Sequence, residues 1–267
     1  MSAISDIEDA VVAHWSLLGL WPGAALLDEG GILRFETPIP ALPYNAVLRT
    51  RLEGDVDAAI TSTLAGYAAR GVDVMWFVGP SARPPDLADR LLAAGLPRIE
   101  VGTGMALELA GSAEWPVPEL PGVAFAEVVD DEGLDTYLQL NLDYWELTDE
   151  EREPVSRLNR YWAGERARGK RFIAYADGAS VGKGYVSFAG PPGVAAIFGM
   201  TVRTPARGRG IASAMTRILV ETARQAGCHR VVLMASEMAV GVYARLGFGA
   251  HCTIDVYASA SLWARHR

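Results

Sequence analysis

An apolar run that stops at a proline, two closely spaced glycines and an immediate helical pattern together leave this chain few options. Val194 to Val202 is almost wholly apolar or small, Pro205 closes the run, and Gly208 and Gly210 bracket Arg209. From Ile211 apolar or small residues return at Ala214, Met215, Ile218, Leu219 and Thr222, the spacing of a helix face. The stretch Phe198–Ala212 therefore predicts a strand, a glycine turn and a helix start in close succession. The first N–H groups of a helix have no partner of their own and sit at the positive end of its dipole. Glycines beside them let a ligand approach the backbone. The stretch predicts an anion site.

The remaining sequence supplies the scaffold for it. With 267 residues the chain has length for one large domain or two ordinary ones. Hydrophobic residues make up 50% and charged residues 21%, the balance of a globular protein with a buried core. A net charge of −8 argues against a nucleic-acid partner, which calls for a basic face. Cys228 and Cys252 are too few for a disulfide scaffold, and no Cys/His group has metal-ligand spacing, so no metal is expected. Asp6, Glu8 and Asp9 make the first fifteen residues the reverse of a basic secretion signal. No apolar run reaches membrane-spanning length. A cytoplasmic protein without a membrane partner, monomer or homodimer, is the expectation.

Read in order, Ile4, Ile7, Val11, Trp15 and Leu18 predict a first helix. Strands follow at Ala24–Leu27, Ile32–Phe35 and Ala46–Leu52, then a helix over Asp55–Arg70 and a strand over Val72–Val78. A helix over Pro84–Ala94 opens with prolines in its first turn. A strand over Ile99–Leu109 ends the first half. Glu114–Gly122, with three prolines and a glycine, reads as a linker. The expected division is 1–112, a linker at 113–122, and 123–267. The second half opens with a strand over Val123–Val129 and a helix over Glu132–Leu140. An acidic, aromatic loop spans Asp143–Glu151, and a helix covers Pro154–Arg168. Two strands form a hairpin around Asp177-Gly178. After the opening strand and helix come a strand over Arg230–Ala235, a helix over Met238–Leu246 and a strand near Thr253–Tyr257. The halves echo each other. A helix ending at Gly71, the strand Val74–Val78 and a helix ending at Gly95 mirror Gly227, Val231–Met234 and Gly247. The copy in the first half has Arg51-Leu-Glu-Gly-Asp55 in place of the glycine turn, a poor cradle for phosphate.

Three anion-binding templates bear on Arg207–Ala212. A P-loop is excluded, since no Gly-Lys-Ser/Thr is present. A dinucleotide fingerprint is nearly met by Gly208–Ser213, but its third glycine is Ser213 and the turn from Val202 is too long. Arg207-Gly-Arg-Gly-Ile-Ala212 fits R/Q-x-x-G-x-G/A, and Tyr243-Ala-Arg-Leu-Gly-Phe248 follows about thirty residues later as Y-x-x-x-G-F. In this order and spacing the pair resembles the GNAT N-acetyltransferase superfamily, over roughly Val123–Tyr257, with the first half similar to the partner copy of a tandem GNAT protein.

That resemblance implies an α/β fold with a mixed sheet in each of two copies, splayed between the fourth and fifth strands. Acetyl-CoA is the co-substrate it implies, and a small-molecule primary amine is the expected acceptor. The alternatives are a protein or peptide N-terminus or lysine, or a CoA- or amine-binding module without catalysis. The cofactor-binding residues implied are Met200, Thr201 and Val202 on the strand, Arg207, Gly208, Arg209, Gly210, Ile211 and Ala212 in the turn, and Ser236 where the family often has Asn. Tyr243 matches the general acid that protonates the leaving thiolate, a role suited to a neutral phenol. The Glu that many members carry on the fourth strand is absent from Ala195–Met200. Asp143, Glu146, Glu237, His251 or a relayed water remain candidates for the base. In the family the first two helices and their connection line the acceptor pocket. Here Asp143, Tyr144, Trp145 and Glu146 would suit a cationic amine, or equally would pack the helices onto the sheet.

Overall fold

The computed structural model describes residues 2–109, 115–145, 147–164 and 168–259, with Tyr144, Trp145, Ala163 and Gly164 described as backbone only. In chain order its elements are α1 (Ala3–Ser16), β1 (Ala25–Glu29), β2 (Ile32–Glu36), β3 (Ala46–Thr50), α2 (Val56–Ala69), β4 (Met75–Val78), α3 (Leu87–Ala93) and β5 (Arg98–Glu108). The second half contributes β6 (Val123–Glu127), α4 (Asp131–Trp145), α5 (Asp149–Gly164), β7 (Gly169–Ala176), β8 (Ala179–Ser187), β9 (Val194–Val202), α6 (Ile211–Gln225), β10 (Arg230–Ala235), α7 (Glu237–Arg245) and β11 (Gly249–Ala258). No described helix is long and apolar enough to cross a membrane.

The described strands form one mixed sheet in the order β1-β2-β3-β4-β11-β5-β10-β9-β8-β7-β6. Each half runs as an antiparallel meander into one parallel pair, β3 with β4 and β9 with β10. The last strand of each half then crosses over. β5 pairs antiparallel with β10, β11 pairs antiparallel with β4, and the two lie against each other at the centre. The sheet thus continues through the middle of the molecule without a break, although the proline-rich linker divides the chain.

Helix α1 lies over this seam. Ser2 caps it by accepting from the Ser5 N–H at 3.1 Å. Ile7, Ala10, Val11 and His14 form its buried face, packed on a core shared by Phe35, Leu48, Phe77, Val194, Val232 and Ile254 from both halves. Buried Asp6 pairs with Arg230, which also meets Glu108 at 2.7 Å. His14 stacks on Phe198 of β9, with ring centroids 3.7 Å apart and planes 8° from parallel, and Trp15 and Trp162 close round it edge-on. The opposite face is covered by α6 and α7 over Met215, Leu219, Val220, Val231 and Leu233.

Three boundaries differ from the sequence reading. The first-half helix begins at Leu87, not in the prolines: Pro84 and Pro85 lie in the turn before it, where the Leu87 N–H bonds the Pro84 carbonyl. Helix α4 extends to Trp145, so the acidic loop shrinks. Helix α5 starts at Asp149 because Thr148 and Glu151 form a capping box, the Glu151 carboxylate accepting from the Thr148 N–H at 2.8 Å. Pro154 falls inside α5 rather than at its start.

The environment of His14 sets a pH dependence. Burial, and next the Arg171 charge, hold its pKa down to about 3 from the usual 6.5. Its Nδ1 has no hydrogen-bond partner among the described residues, so the fold accepts only the neutral ring. The unfolded chain binds a proton below about pH 6.5 that the folded chain refuses, so stability from this residue is present above that pH and lost as pH falls towards 3. The slope approaches about 1.4 kcal/mol per pH unit. Urea unfolding of the wild-type protein at pH 7 and pH 5 should show this loss, and His14→Phe, which keeps the stack, should blunt it.

Candidate active site

The parallel pair β9–β10 holds for only four residues a side, Val194–Ile197 against Arg230–Leu233. Beyond that β9 stays with β8, Val202 opposite Gly182, while β10 stays with β5, Ala235 opposite Thr103. The two strands diverge and a wedge opens between them. A cavity of about 480 Å³ fills it.

Both walls and the mouth of the cavity come from the motif residues. Met200, Thr201 and Val202 line it from β9, with backbone edges that have no β10 partner. After a 3₁₀ turn at Thr204–Ala206 the chain passes Arg207, Gly208, Gly210, Ile211 and Ala212, all on the cavity wall. Gly208 and Gly210 have φ of 78° and 79°, a left-handed conformation that a Cβ strains. Gly210 is the N-cap of α6 and offers no side chain to the helix's first amides. Those amides therefore face the cavity without a capping group, at the positive end of a fifteen-residue helix. Arg207 lines the cavity with its Nε on the Val202 carbonyl at 3.1 Å. Arg209 does not line it. Its guanidinium turns to Asp177 at 3.2 Å, in the β7–β8 turn.

Across the wedge, Ser236 stands before α7 with no side-chain hydrogen bond to its own helix, and lines the cavity. Tyr243 projects from α7 onto the same wall, its ring edge-on to Phe248 at 5.7 Å. Burial raises its pKa to about 12, so the phenol keeps its proton throughout the neutral range.

The corresponding wedge of the first half is built in the same way and holds a cavity of about 310 Å³, lined by Leu48–Arg51, Phe77 and Gly79–Ala82, but its helix start is capped from within. β3 and β4 pair only at Ala46–Met75 and Val47–Trp76 before diverging. The N-cap of α2 is Asp55, whose carboxylate accepts from the Ala58 N–H at 3.0 Å and supplies the anion that Gly210 leaves out. Glu8 of α1 reaches into the β4–α3 connection and accepts from the Ser81 N–H at 2.9 Å.

The residues expected on the acceptor side are placed differently from the acidic loop. Asp143 lies in the last turn of α4, paired with Arg203 at 2.7 Å and bonded by Gln139 at 2.6 Å. Glu146 and the side chains of Tyr144 and Trp145 lie outside the described residues. Glu237 and His251 are exposed. Burial raises the thiol pKa of Cys228, and with Glu8 nearby it brings Cys252 to about 11, so neither is primed as a nucleophile. The sequence reading passed over Lys183. It sits buried on β8, its Nζ on the Gly199 carbonyl at 3.1 Å and 5.0 Å from the centroid of the Tyr137 ring. No sequence pattern marks it.

Residues 134–248 match the acetyltransferase (GNAT) family. Among solved structures, a GCN5-related N-acetyltransferase from Kribbella flavida is 19% identical with a TM-score of 0.68, over 94% of this chain and 95% of that one. A tandem GNAT protein from the clavulanic acid biosynthesis pathway is 17% identical with a TM-score of 0.62, over 97% of this chain and 96% of that one. A GCN5-related N-acetyltransferase from Sphaerobacter thermophilus is 16% identical with a TM-score of 0.60, over 88% and 75%. Comparison with curated proteins returned no match. The β9 strand of the wedge, its glycine turn and Tyr243 all fall within residues 134–248, the segment that matches the acetyltransferase (GNAT) family, and the fold of the whole chain is similar to that of the tandem GNAT protein.

Proposed function

We propose that the chain transfers the acetyl group of acetyl-CoA to a primary amine of a small molecule, at a single site in the second half. The observation that carries this is the contrast between the two wedges: one helix start is capped by its own carboxylate, the other is left open beside a cavity of about 480 Å³.

In this reading the pyrophosphate of acetyl-CoA accepts hydrogen bonds from the amides of Arg207–Ala212, and the α6 dipole adds favourable field. The free edge of Met200–Val202 pairs with the pantetheine amides as an added strand would. The amine attacks the thioester carbonyl, whose developing charge is stabilised by backbone N–H groups near Met200. The C–S bond breaks and Tyr243 gives its proton to the departing thiolate. A phenol with its pKa raised to about 12 is a donor that remains loaded at neutral pH. The coverage of β9 by α1, with His14 stacked on Phe198, favours a small acceptor over an extended peptide. Asp143 is already paired with Arg203, so it contributes no free charge for a cationic acceptor.

A thiol-release screen with acetyl-CoA against simple amines, aminoglycosides and peptides identifies the acceptor. With it, Tyr243→Phe should lower kcat on the order of 10²-fold while acetyl-CoA binding by calorimetry stays within about threefold. A kcat that stays at the wild-type value at every pH tested would remove Tyr243 from the mechanism. Gly210→Asp copies the self-capped helix start of the first half into the second. It should weaken acetyl-CoA binding by at least about tenfold, by repulsion and occupation of the amides, while costing only about 1 kcal/mol of stability, because Asp tolerates positive φ better than most residues. Wild-type affinity in that variant would place the pyrophosphate elsewhere.

A further inference from the structure

We propose that Lys183 is the base of the transfer, the group that takes the proton from the acceptor ammonium at the Gly199 bulge of β9. The proposal rests on the functional reading above and names a base where the strand carries no carboxylate.

The register places the lysine. Lys183 stands opposite Thr201, whereas Tyr185 stands opposite Phe198, so Gly199 and Met200 together face the single residue Gly184. Gly199 has φ of 59°, the conformation of a bulge residue. Met200 and Thr201 line the cavity, so the bulge marks its inner end. The Gly199 backbone is exposed while Lys183 is 2% exposed, with Nζ 3.1 Å from the Gly199 carbonyl. The amine nitrogen is thus one backbone carbonyl away from the exposed Gly199, the residue next to the cavity-lining Met200.

Its surroundings determine the protonation state. From α4 it meets the face of Tyr137, with Leu140 and, from β7, Ile173 completing the cluster and Tyr175 at its border. Arg171, also on β7, lies over the Tyr185 ring at 4.8 Å, and on the far side of Tyr185 stands His14 of α1. β9 contributes Phe198, Gly199 and Met200 and no titratable group. No carboxylate pairs with Lys183 or with Arg171 among the described residues. A charged ammonium there is desolvated beside a permanent cation. Burial first and Arg171 second bring Lys183 down to about 7, which leaves a substantial fraction with a free lone pair at neutral pH. His14, held at about 3, is too weak a base for an ammonium. Asp143 is tied to Arg203.

The protons balance. Lys183 Nζ takes one proton from R–NH₃⁺, and the free amine forms the C–N bond to the acetyl carbon. As the C–S bond breaks, the thiolate takes the Tyr243 proton, and the second amine proton returns to the Tyr243 phenolate. Lys183 then releases its proton to solvent, so one acetyl-CoA and one ammonium give amide, CoA thiol and one proton.

A structural lysine that only holds the bulge would behave differently. The chain contains two lysines, and Lys170 is a surface residue paired with Glu127 at 3.1 Å. Carbon-13 labelling of the lysine Cε positions, assigned with Lys170→Arg, reads both by NMR titration. One resonance should titrate in the ordinary lysine range and that of Lys183 near neutrality. In turnover, Lys183→Met should lower kcat/KM for a protonated alkylamine on the order of 10²-fold and abolish the neutral limb of its pH profile. Methoxyamine, already unprotonated at neutral pH, should lose no more than about threefold in the same variant. Lys183→Arg, which keeps a charge and a donor to Gly199 but cannot deprotonate, should behave like Lys183→Met. The proposal is overturned if the Lys183 resonance titrates with that of Lys170, if Lys183→Met slows both acceptors equally, or if Lys183→Arg restores the rate. An absence of acetyl-CoA binding by the wild-type protein would instead sink the functional reading, a result distinct from these three.

Discussion

Two parallel strands that part company after four residues create a problem of unsatisfied backbone that the rest of this molecule is arranged around. Past Ile197 and Leu233 each strand keeps a partner on its outer side, β8 for β9 and β5 for β10, and presents a bare edge inward. Backbone N–H and C=O groups withdrawn from water and left without partners cost a few kcal/mol each on the order of a lost hydrogen bond. Such an opening persists only where a ligand or water occupies it or where the protein fills it from elsewhere. Both solutions occur in this chain. The second half leaves its wedge open and terminates it with a helix start that has no side-chain cap. The first half keeps a smaller cavity of about 310 Å³ and answers the amides beside it with Glu8 and Asp55, two carboxylates that do internally what an external anion would do.

On the other face of the second half, the pattern of charge is unusual in another way. Buried His14 and Lys183 and half-buried Arg171 share one layer with Tyr137 and Tyr185 and without a paired carboxylate among the described residues. One permanent cation there depresses both of its titratable neighbours. The consequence is a layer that carries Arg171's charge and only part of Lys183's at neutral pH, with His14 contributing none. Packing α1 from the first half against it becomes affordable only because His14 arrives neutral.

Much of the candidate site's geometry was legible because it is local. Gly208 and Gly210 are needed where they stand by positive φ, Pro205 by the turn, and Tyr243 by its place on a short helix, and each of these requirements is written within a few residues. The features that were not legible depend on partners far away in sequence. Arg209 resembles a phosphate ligand until the β7–β8 turn brings Asp177 beside it. The stretch after Leu140 reads as an acidic loop by composition, although its Thr148–Glu151 pair is a capping box that starts a helix, and that signal was present to be read. Lys183 carries no pattern at all, because a single lysine in an alternating strand looks the same whether it faces water or Tyr137. The crossing of β5 and β11 is equally silent, since an exchange of equivalent strands between two copies leaves each strand's own sequence unchanged.

That crossing ties the open cavity of the second half to the strands of the first. β10, one wall of the open cavity, finds its outer hydrogen-bond partner in β5, a strand from the other half, and β11 in turn completes the edge of β4. Neither copy owns a whole sheet. Deleting the first half would strip β10 of its outer partner, so the cavity of the second half depends on a strand that the second half does not supply. The chain therefore behaves as a pair of copies in which each half is a splint for the other.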